Sequence, residues 1–300
     1  MGAAPMTYRL KLSDKTSQDA LRRIAVEEVD SALAELDDAE MDLHEKVHQV
    51  RKRAKKLRGL IRLVRPHFPD HARENAAIRD AARRISGLRD REARVETYDK
   101  LMVATGATGF DEVHAHLVAV RDAASGHDHV ADDLAAFRAE FEALRARAAG
   151  WSLSARGFKA YRPGLEKMFA RARKGRRAAA ESPDAATIHD WRKAVKYHWY
   201  HTRLMAPISP EALERRAGQL KDLSEFLGDH HDLAVLDAFI AEAQELPGDA
   251  ALWQAFRARI AARQDVLESE AQALAARLFA SPAKDLGKRW KSWWKAWKAA

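Results

Sequence analysis

With 300 residues and 47% hydrophobic content, the chain can bury a core in one large domain or two moderate ones, which excludes a disordered tail. Its 52 Lys and Arg against 44 Asp and Glu leave a net charge of +8, a balance that favours polyanionic partners such as nucleic acid, an acidic membrane surface or polyphosphate. The lack of cysteine excludes disulfides and thiolate chemistry, and with no signal-length apolar segment and no run of 18 apolar residues the expectation is a soluble cytoplasmic protein.

Glycine and proline are few, 14 and 9, and separate long stretches of helical apolar spacing, with no sustained period-two alternation. An all-α chain is expected. In chain order the predicted helices are 14–39, 43–65, 70–104, 110–124 with 129–149, then 153–179, 184–205, 210–243 and 249–279. Pro66 and Pro207 stop two of them, Ser182-Pro183-Asp184 and Ser209-Pro210-Glu211 have the form of N-terminal caps, and Leu246-Pro247-Gly248-Asp249 has that of a turn. The last segment, 284–300, puts Trp290, Trp293, Trp294 and Trp297 on one helical face, with Lys288, Lys291, Lys295 and Lys298 around the other. Such a helix either packs back onto the protein or touches a membrane surface or a partner protein.

The second helix, VHQVRKRAKKLRGLIRLVRP from Val47 to Pro66, returns as IHDWRKAVKYHWYHTRLMAP from Ile188 to Pro207, an offset of 141 residues. The copies agree at His48/His189, Arg51/Arg192, Lys52/Lys193, Lys55/Lys196, Arg62/Arg203, Leu63/Leu204 and Pro66/Pro207. A weaker echo sets Ile85-Ser86-Gly87-Leu88-Arg89-Asp90 against Leu227-Gly228-Asp229-His230-His231-Asp232. The chain is therefore expected to be duplicated, with four helices in each of the halves 12–150 and 151–280.

On a helical wheel His48, Arg51, Lys52, Lys55, Gly59 and Arg62 fall within roughly 60° of one direction, opposite Val47, Val50, Ala54, Leu57, Ile61 and Val64. In the second copy His189, Arg192, Lys193, Lys196, Tyr200 and Arg203 share the charged face, and Ile188, Trp191, Val195, Thr202 and Met205 the other. A solvated charged face is the plain explanation. Against it, like charges at i,i+4 cost roughly 0.2–0.5 kcal/mol per pair, no acids are interleaved to cancel them, and the pattern occurs twice. An anion bound along the stripe accounts for both facts. Arg offers a planar fork, Lys a point charge and His a hydrogen bond or a proton. Charges repeating each turn, about 5.4 Å apart, suit a linear polyanion. Lys167, Arg171, Lys174 and Arg177 share a face of the helix before the second copy, and Arg22 and Arg23 lie in the helix before the first.

Catalysis and metal binding find little support. Glu45-Lys46-Val47-His48 has ExxH spacing, but Ala186 stands at the glutamate position of the second copy. His127-Asp128-His129 sits at a glycine loop, and no glycine-rich phosphate loop, GxSxG or HExxH occurs. No catalytic residue, metal ligand or cofactor is expected.

The HxxRKxxxK pattern of His48-Arg51-Lys52-Lys55 and His189-Arg192-Lys193-Lys196, with Arg89-Asp90 and the echo from Leu227-Gly228 to Asp232, resembles the CHAD family of α-helical domains. The resemblance spans about residues 12–279. It implies two pseudo-symmetric four-helix bundles around a basic groove or pore that binds inorganic polyphosphate, often on polyphosphate granules. By position it implies His48, Arg51, Lys52, Lys55, Arg62, His189, Arg192, Lys193, Lys196 and Arg203 as binding residues, with Arg22, Arg58, Arg171, Arg173 and Lys221 as secondary ones. The chain resembles a stand-alone member, without the triphosphate-tunnel domain that many relatives carry. Tyr197, His198 and Trp199 replace Lys56, Leu57 and Arg58, so the second half is expected to be less charged and more aromatic. The role of His230 and His231 is left open. The alternative partner for the same surface is nucleic acid, with Tyr197, Trp199 and Tyr200 as stacking residues.

Overall fold

The computed structural model describes residues 8–123, 130–243 and 245–300, with the backbone alone over 87–91. His127-Asp128-His129 and the side chains of Arg89 and Asp90 lie outside the described residues. Within them the chain forms eleven α-helices and no strand.

In the first half α1 (Ser17–Asp37) opens on a capping box, Thr16 Oγ1 accepting from the Asp19 N–H at 3.1 Å while the Asp19 carboxylate accepts from the Thr16 N–H at 3.1 Å. It is followed by α2 (Leu43–Leu63), α3 (His71–Arg84), α4 (Gly87–Thr105), α5 (Asp111–Ala123) and α6 (Val130–Ala148). The second half has α7 (Phe158–Glu181), α8 (Ala185–Met205), α9 (Pro210–Glu242) and α10 (Ala250–Leu278), and α11 (Ala283–Ala299) closes the chain. The duplicated helices α2 and α8 are both 21 residues long. Each has an aspartate cap, Asp42 or Asp184, accepting the third backbone N–H at 2.8 Å, and each runs into a proline-containing 3₁₀ turn.

Two expected helices are corrected. The segment 70–104 is broken at Ile85 and Ser86, where the Ser86 N–H and hydroxyl both return to the Arg83 carbonyl, at 3.0 and 2.7 Å, and end α3. Its repeat counterpart α9 continues unbroken for 33 residues, with Gly228 inside it. The helix expected from residue 153 begins at Phe158, because Gly157 takes φ +57°, a left-handed conformation no helix includes.

The main core joins α1, α2, α3 and α6 of the first half to α7, α8 and parts of α9 and α10 of the second. Every position expected on the apolar side of the repeat is buried: Val47, Val50, Ala54, Leu57, Ile61 and Val64 on α2, and Ile188, Trp191, Val195, Thr202 and Met205 on α8. A second core, where α4 and α5 meet α9 and α10, gathers residues such as Tyr98, Val113, Leu236 and Phe256. The halves therefore interlock. At the crossing of α2 and α8, Gly59 meets its own repeat partner Tyr200, and a Cβ there would lie 3.1 Å from Tyr200 Cβ and 3.2 Å from Tyr8 Oη. Beside it the buried His201 Nε2 donates to the Gly59 carbonyl at 3.0 Å. Tyr200, expected on the cationic face, is thus a core residue at the pseudo-two-fold contact.

The tryptophan face of α11 lies on the body of the protein. Trp290 is buried, Trp294 packs at 5.5 Å on Tyr161 and 6.1 Å on Phe158, and Lys298 Nζ donates to the Asp14 carbonyl at 3.0 Å. No helix among the described residues is long and apolar enough to cross a membrane.

Candidate functional site

α2 and α8 turn their apolar sides into one core and cross at Gly59, which brings Lys55 of α2 into the fields of Arg192 and Lys196 of α8. On the first-half side α2 and α3 enclose a recess of about 250 Å³ lined by Arg51, Lys55, Arg58, Arg79 and Arg83, with no carboxylate among the described residues of its lining. Arg51 Nη1 donates to the Ala82 carbonyl at 3.1 Å and Arg58 Nε to Asn75 Oδ1 at 3.2 Å, which helps hold both guanidiniums in place. Asp80 binds Arg79 through two bonds of 2.8 and 2.9 Å.

Lys55 belongs to both halves. Burial, followed by the fields of Arg51 on its own helix and of Arg192 and Lys196 on α8, pulls its pKa down to about 8, with Asp232 opposing. Lys55 nevertheless has an exposed side chain. A concave site reconciles the two, since water reaches the amine but protein atoms crowd it. Lys196 is likewise pulled to about 8, first by burial and then by Arg192, with Glu225 opposing. These lysines are partly discharged at mildly alkaline pH because burial, and then the neighbouring cations, disfavour their charged form.

The second-half cations rest on rings. Lys196 Nζ lies 4.1 Å from the Trp199 ring, Arg203 lies 5.0 Å from the same ring, and Arg62 of the first half lies 4.3 Å from Tyr197. The exchange of Arg58 for Trp199 thus replaces a charge with a platform for two others. The neighbouring Lys56 and His198 bear on the site less than expected. Lys56 is buried on Glu28, at 3.0 and 3.1 Å, and His198 is buried against Phe169 and Trp290.

At the amino end of α8, His189 lies 4.5 Å from His231 of α9, ring centre to ring centre. Burial, then Arg192, His189 and other cations, lowers His231 to about 4, and burial followed by Lys193 and Arg192 lowers His189. His231 is therefore part of the site, while His230 turns into the protein, buried and lowered by that burial.

The absence of interleaved acids is corrected. Asp190 pairs with Lys193 at 2.5 Å, where the first copy has Gln49 facing Lys52 at 3.3 Å. Asp232 of α9 lies in the fields of Arg192 and Lys55, and burial raises its carboxyl. Among the secondary residues, Arg58 lines the recess, Lys221 flanks Lys196 while paired with Glu225 at 3.2 Å, and Arg171 is exposed within reach of Asp190. Two are used elsewhere. Arg22 Nε donates to the Trp151 carbonyl at 2.7 Å and ties α1 to the chain joining the halves, and Arg173 turns toward the Ala280 carbonyl at 3.5 Å, at the end of α10. His48 and Lys52 stand exposed at the amino end of the α2 stripe.

Sequence reasoning missed Arg79 and Arg83. They stand four residues apart on α3, and a wheel of that helix, with Ile78 and Ala81 buried, would have aligned them. It also missed how far the cationic region extends. His71 is lowered to about 4 by burial and then by Arg65, Arg62, Arg58 and Lys167, so the positive field continues past the carboxyl end of the α2 stripe.

The fold is all-α with an internal sequence repeat, and the recess between α2 and α3 is lined by arginine and lysine side chains. The CHAD domain family model matches residues 23–241, well over half of the chain, and the protein belongs to the CHAD family. Its structure is similar to that of the CHAD domain from the plant Ricinus communis, with TM-score 0.66 and 21% identity over 94% of this chain and 99% of that one. It is also similar to PptA from Streptomyces chartreusis, with TM-score 0.58 and 15% identity over 89% and 98%. No curated protein matches the chain.

Proposed function

We propose that the protein binds inorganic polyphosphate, without turning it over, along the groove formed by α2, α3 and α8, and that this binding places it on polyphosphate granules in the cytoplasm. The observation that carries the reading is Lys55. Burial first, and then three cations from two helices, depress this lysine, an arrangement that an evolved surface tolerates when an anion occupies the site. The donors suit phosphate, with Arg51 donating to a backbone carbonyl, Arg58 to an amide, and Lys196 supported on a ring. Their spacing along two helices suits a chain of phosphates better than a single one.

Nucleic acid would use the same charge but needs open ring faces for its bases. Tyr200 is buried, and the rings of Tyr197 and Trp199 already carry Arg62, Lys196 and Arg203. This favours a ligand without bases.

The test is calorimetric titration with polyphosphate of graded length across a salt series. Affinity should rise with chain length and fall with salt, the logarithmic slope counting about 0.7–0.9 per phosphate neutralised. Equal affinity for short and long chains, or failure of excess polyphosphate to displace bound RNA, would overturn the reading. Phosphate release in the presence of Mg²⁺ would overturn the absence of turnover.

A further inference from the structure

On the far side of α8 from the groove, α9 and α11 enclose a second cavity, of about 200 Å³. Its walls carry Arg215 and Arg216 from α9, Arg289, Trp290 and Trp293 from α11, and Ser281 from the turn before α11, and no carboxylate among the described residues lines it. Arg216 is unusual. Its guanidinium lies 5.6 and 6.0 Å from the rings of Phe169 and Phe279, and its Nη2 donates to the Leu278 carbonyl at 3.1 Å and to His198 Nε2 at 3.3 Å. Both acceptors are neutral. Burial, and then the charge of Arg216 itself, holds His198 far below its ordinary pKa, so the imidazole supplies no counter-charge at neutral pH. The Arg216 Nε is enclosed and has no hydrogen-bond partner.

A buried guanidinium ordinarily sits against a carboxylate, because taking the charge out of water is costly unless it is paired. Here the charge acting on it is another cation, Arg289. Burial, followed by Arg289, pushes Arg216 down to about 10, which still leaves it charged at neutral pH. Arg215 has its own partner, Glu211 at 3.1 Å, at the exposed rim. The cavity therefore holds two cations, Arg216 and Arg289, that no described acid neutralises, together with the Ser281 hydroxyl.

We propose that this cavity is a second anion site, which takes a compact ligand of one or two phosphate groups between Arg216, Arg289 and Ser281, against the edge of Trp293. The donor arrangement favours a phosphate over a carboxylate. A carboxylate presents two coplanar oxygens that one guanidinium fork satisfies, whereas guanidiniums from two helices and a hydroxyl from a third segment surround a tetrahedral oxyanion. The site also gives α11 a purpose beyond covering the core. This helix lies outside the span matched by the family model and supplies Arg289 and both indoles. The site is separate from the groove, because His198, which Arg216 touches, follows Lys196 by two residues and so points to the other side of α8.

The experiment uses the full chain with the groove neutralised (Arg51→Gln, Lys55→Gln, Arg192→Gln and Lys196→Gln), folding being checked by circular dichroism. Inorganic pyrophosphate titrated into this protein should bind once and raise Tm through mass action. Adding the exposed substitution Arg289→Glu should weaken that binding by about tenfold or more, as expected for loss of a charged hydrogen bond and reversal of its charge. Arg289→Glu alone should leave affinity for long-chain polyphosphate within about twofold, since α11 does not contribute to the groove. A nucleoside diphosphate run in parallel separates the sources: equal affinity points to the bare phosphates, and tighter binding lost in Trp293→Ala points to an organic ester resting on the indole. No pyrophosphate binding in the groove-neutralised chain, or binding indifferent to Arg289→Glu, would overturn the second site. Neither result bears on the groove.

Discussion

The α2 and α8 stripes present the same cations at the same register but are built differently. On α2, Arg51 donates to the Ala82 carbonyl and Arg58 to Asn75, Lys52 faces Gln49, and α3 adds Arg79, paired with Asp80, and Arg83 around a recess that no described carboxylate lines. On α8, Lys193 is paired with Asp190, Lys196 lies in the field of Glu225, Arg192 shares its surroundings with Asp232, and rings support Lys196 and Arg203. The difference teaches that counting basic residues in a duplicated motif does not measure the field it projects. That field depends on which partners the neighbouring helices bring.

The sharpest test reverses charge in each half separately. Arg51→Glu with Lys55→Glu should reduce polyphosphate affinity by about a hundredfold or more, and Arg192→Glu with Lys196→Glu by about tenfold, both measured at fixed salt. A larger loss from the α8 pair would break the comparison. The pH dependence comes next. Lys55 and Lys196 titrate near 8 in the free protein, and a bound polyanion raises them toward their ordinary value. Binding at pH 8 should therefore take up protons, visible as a dependence of calorimetric heat on buffer ionisation enthalpy, and affinity should fall several-fold from pH 7 to about 9.

Smaller effects probe individual partners. Asp232→Asn removes an acid from between Arg192 and Lys55 and should tighten binding by about two- to threefold. Lys193→Gln should cost less than Lys52→Gln, because Lys193 is already occupied by Asp190. The smallest effect is on stability. In the free protein a depressed lysine opposes folding below its unfolded pKa, so Lys55→Gln should raise Tm by about 2 °C, an effect kept small by solvent screening of an exposed side chain. The same substitution should weaken binding, and a loss in both would mark Lys55 as a structural residue.

Much of the fold was legible because local chemistry writes it. The apolar sides of α2 and α8, their proline stops and the turn before α10 follow from periodicity and from residues with restricted backbones. The break between α3 and α4 was not legible, since Ser86-Gly87 resembles many positions that helices tolerate, and its counterpart at Gly228 is indeed helical. In the site, the HxxRKxxxK cations were visible as a pattern in one helix. Arg79 and Arg83, Asp232 and the His189–His231 contact come from helices distant in sequence. Tyr200 was misplaced for a related reason: a wheel knows one helix and not the second one that crosses it at Gly59.

By itself the sequence determined the all-α class, the duplication, the family and the polarity of the two central helices, because each depends on spacing within a single segment. Only the tertiary structure decided which cations remain uncompensated. A charge is neutralised by whatever lies within a few ångströms, and in a bundle those neighbours come from other helices. That is why Lys56 disappears onto Glu28, Arg22 and Arg173 turn to backbone carbonyls, and the Nε of Arg216, unremarked in the sequence, lies enclosed in a cavity wall with no described acid in the lining.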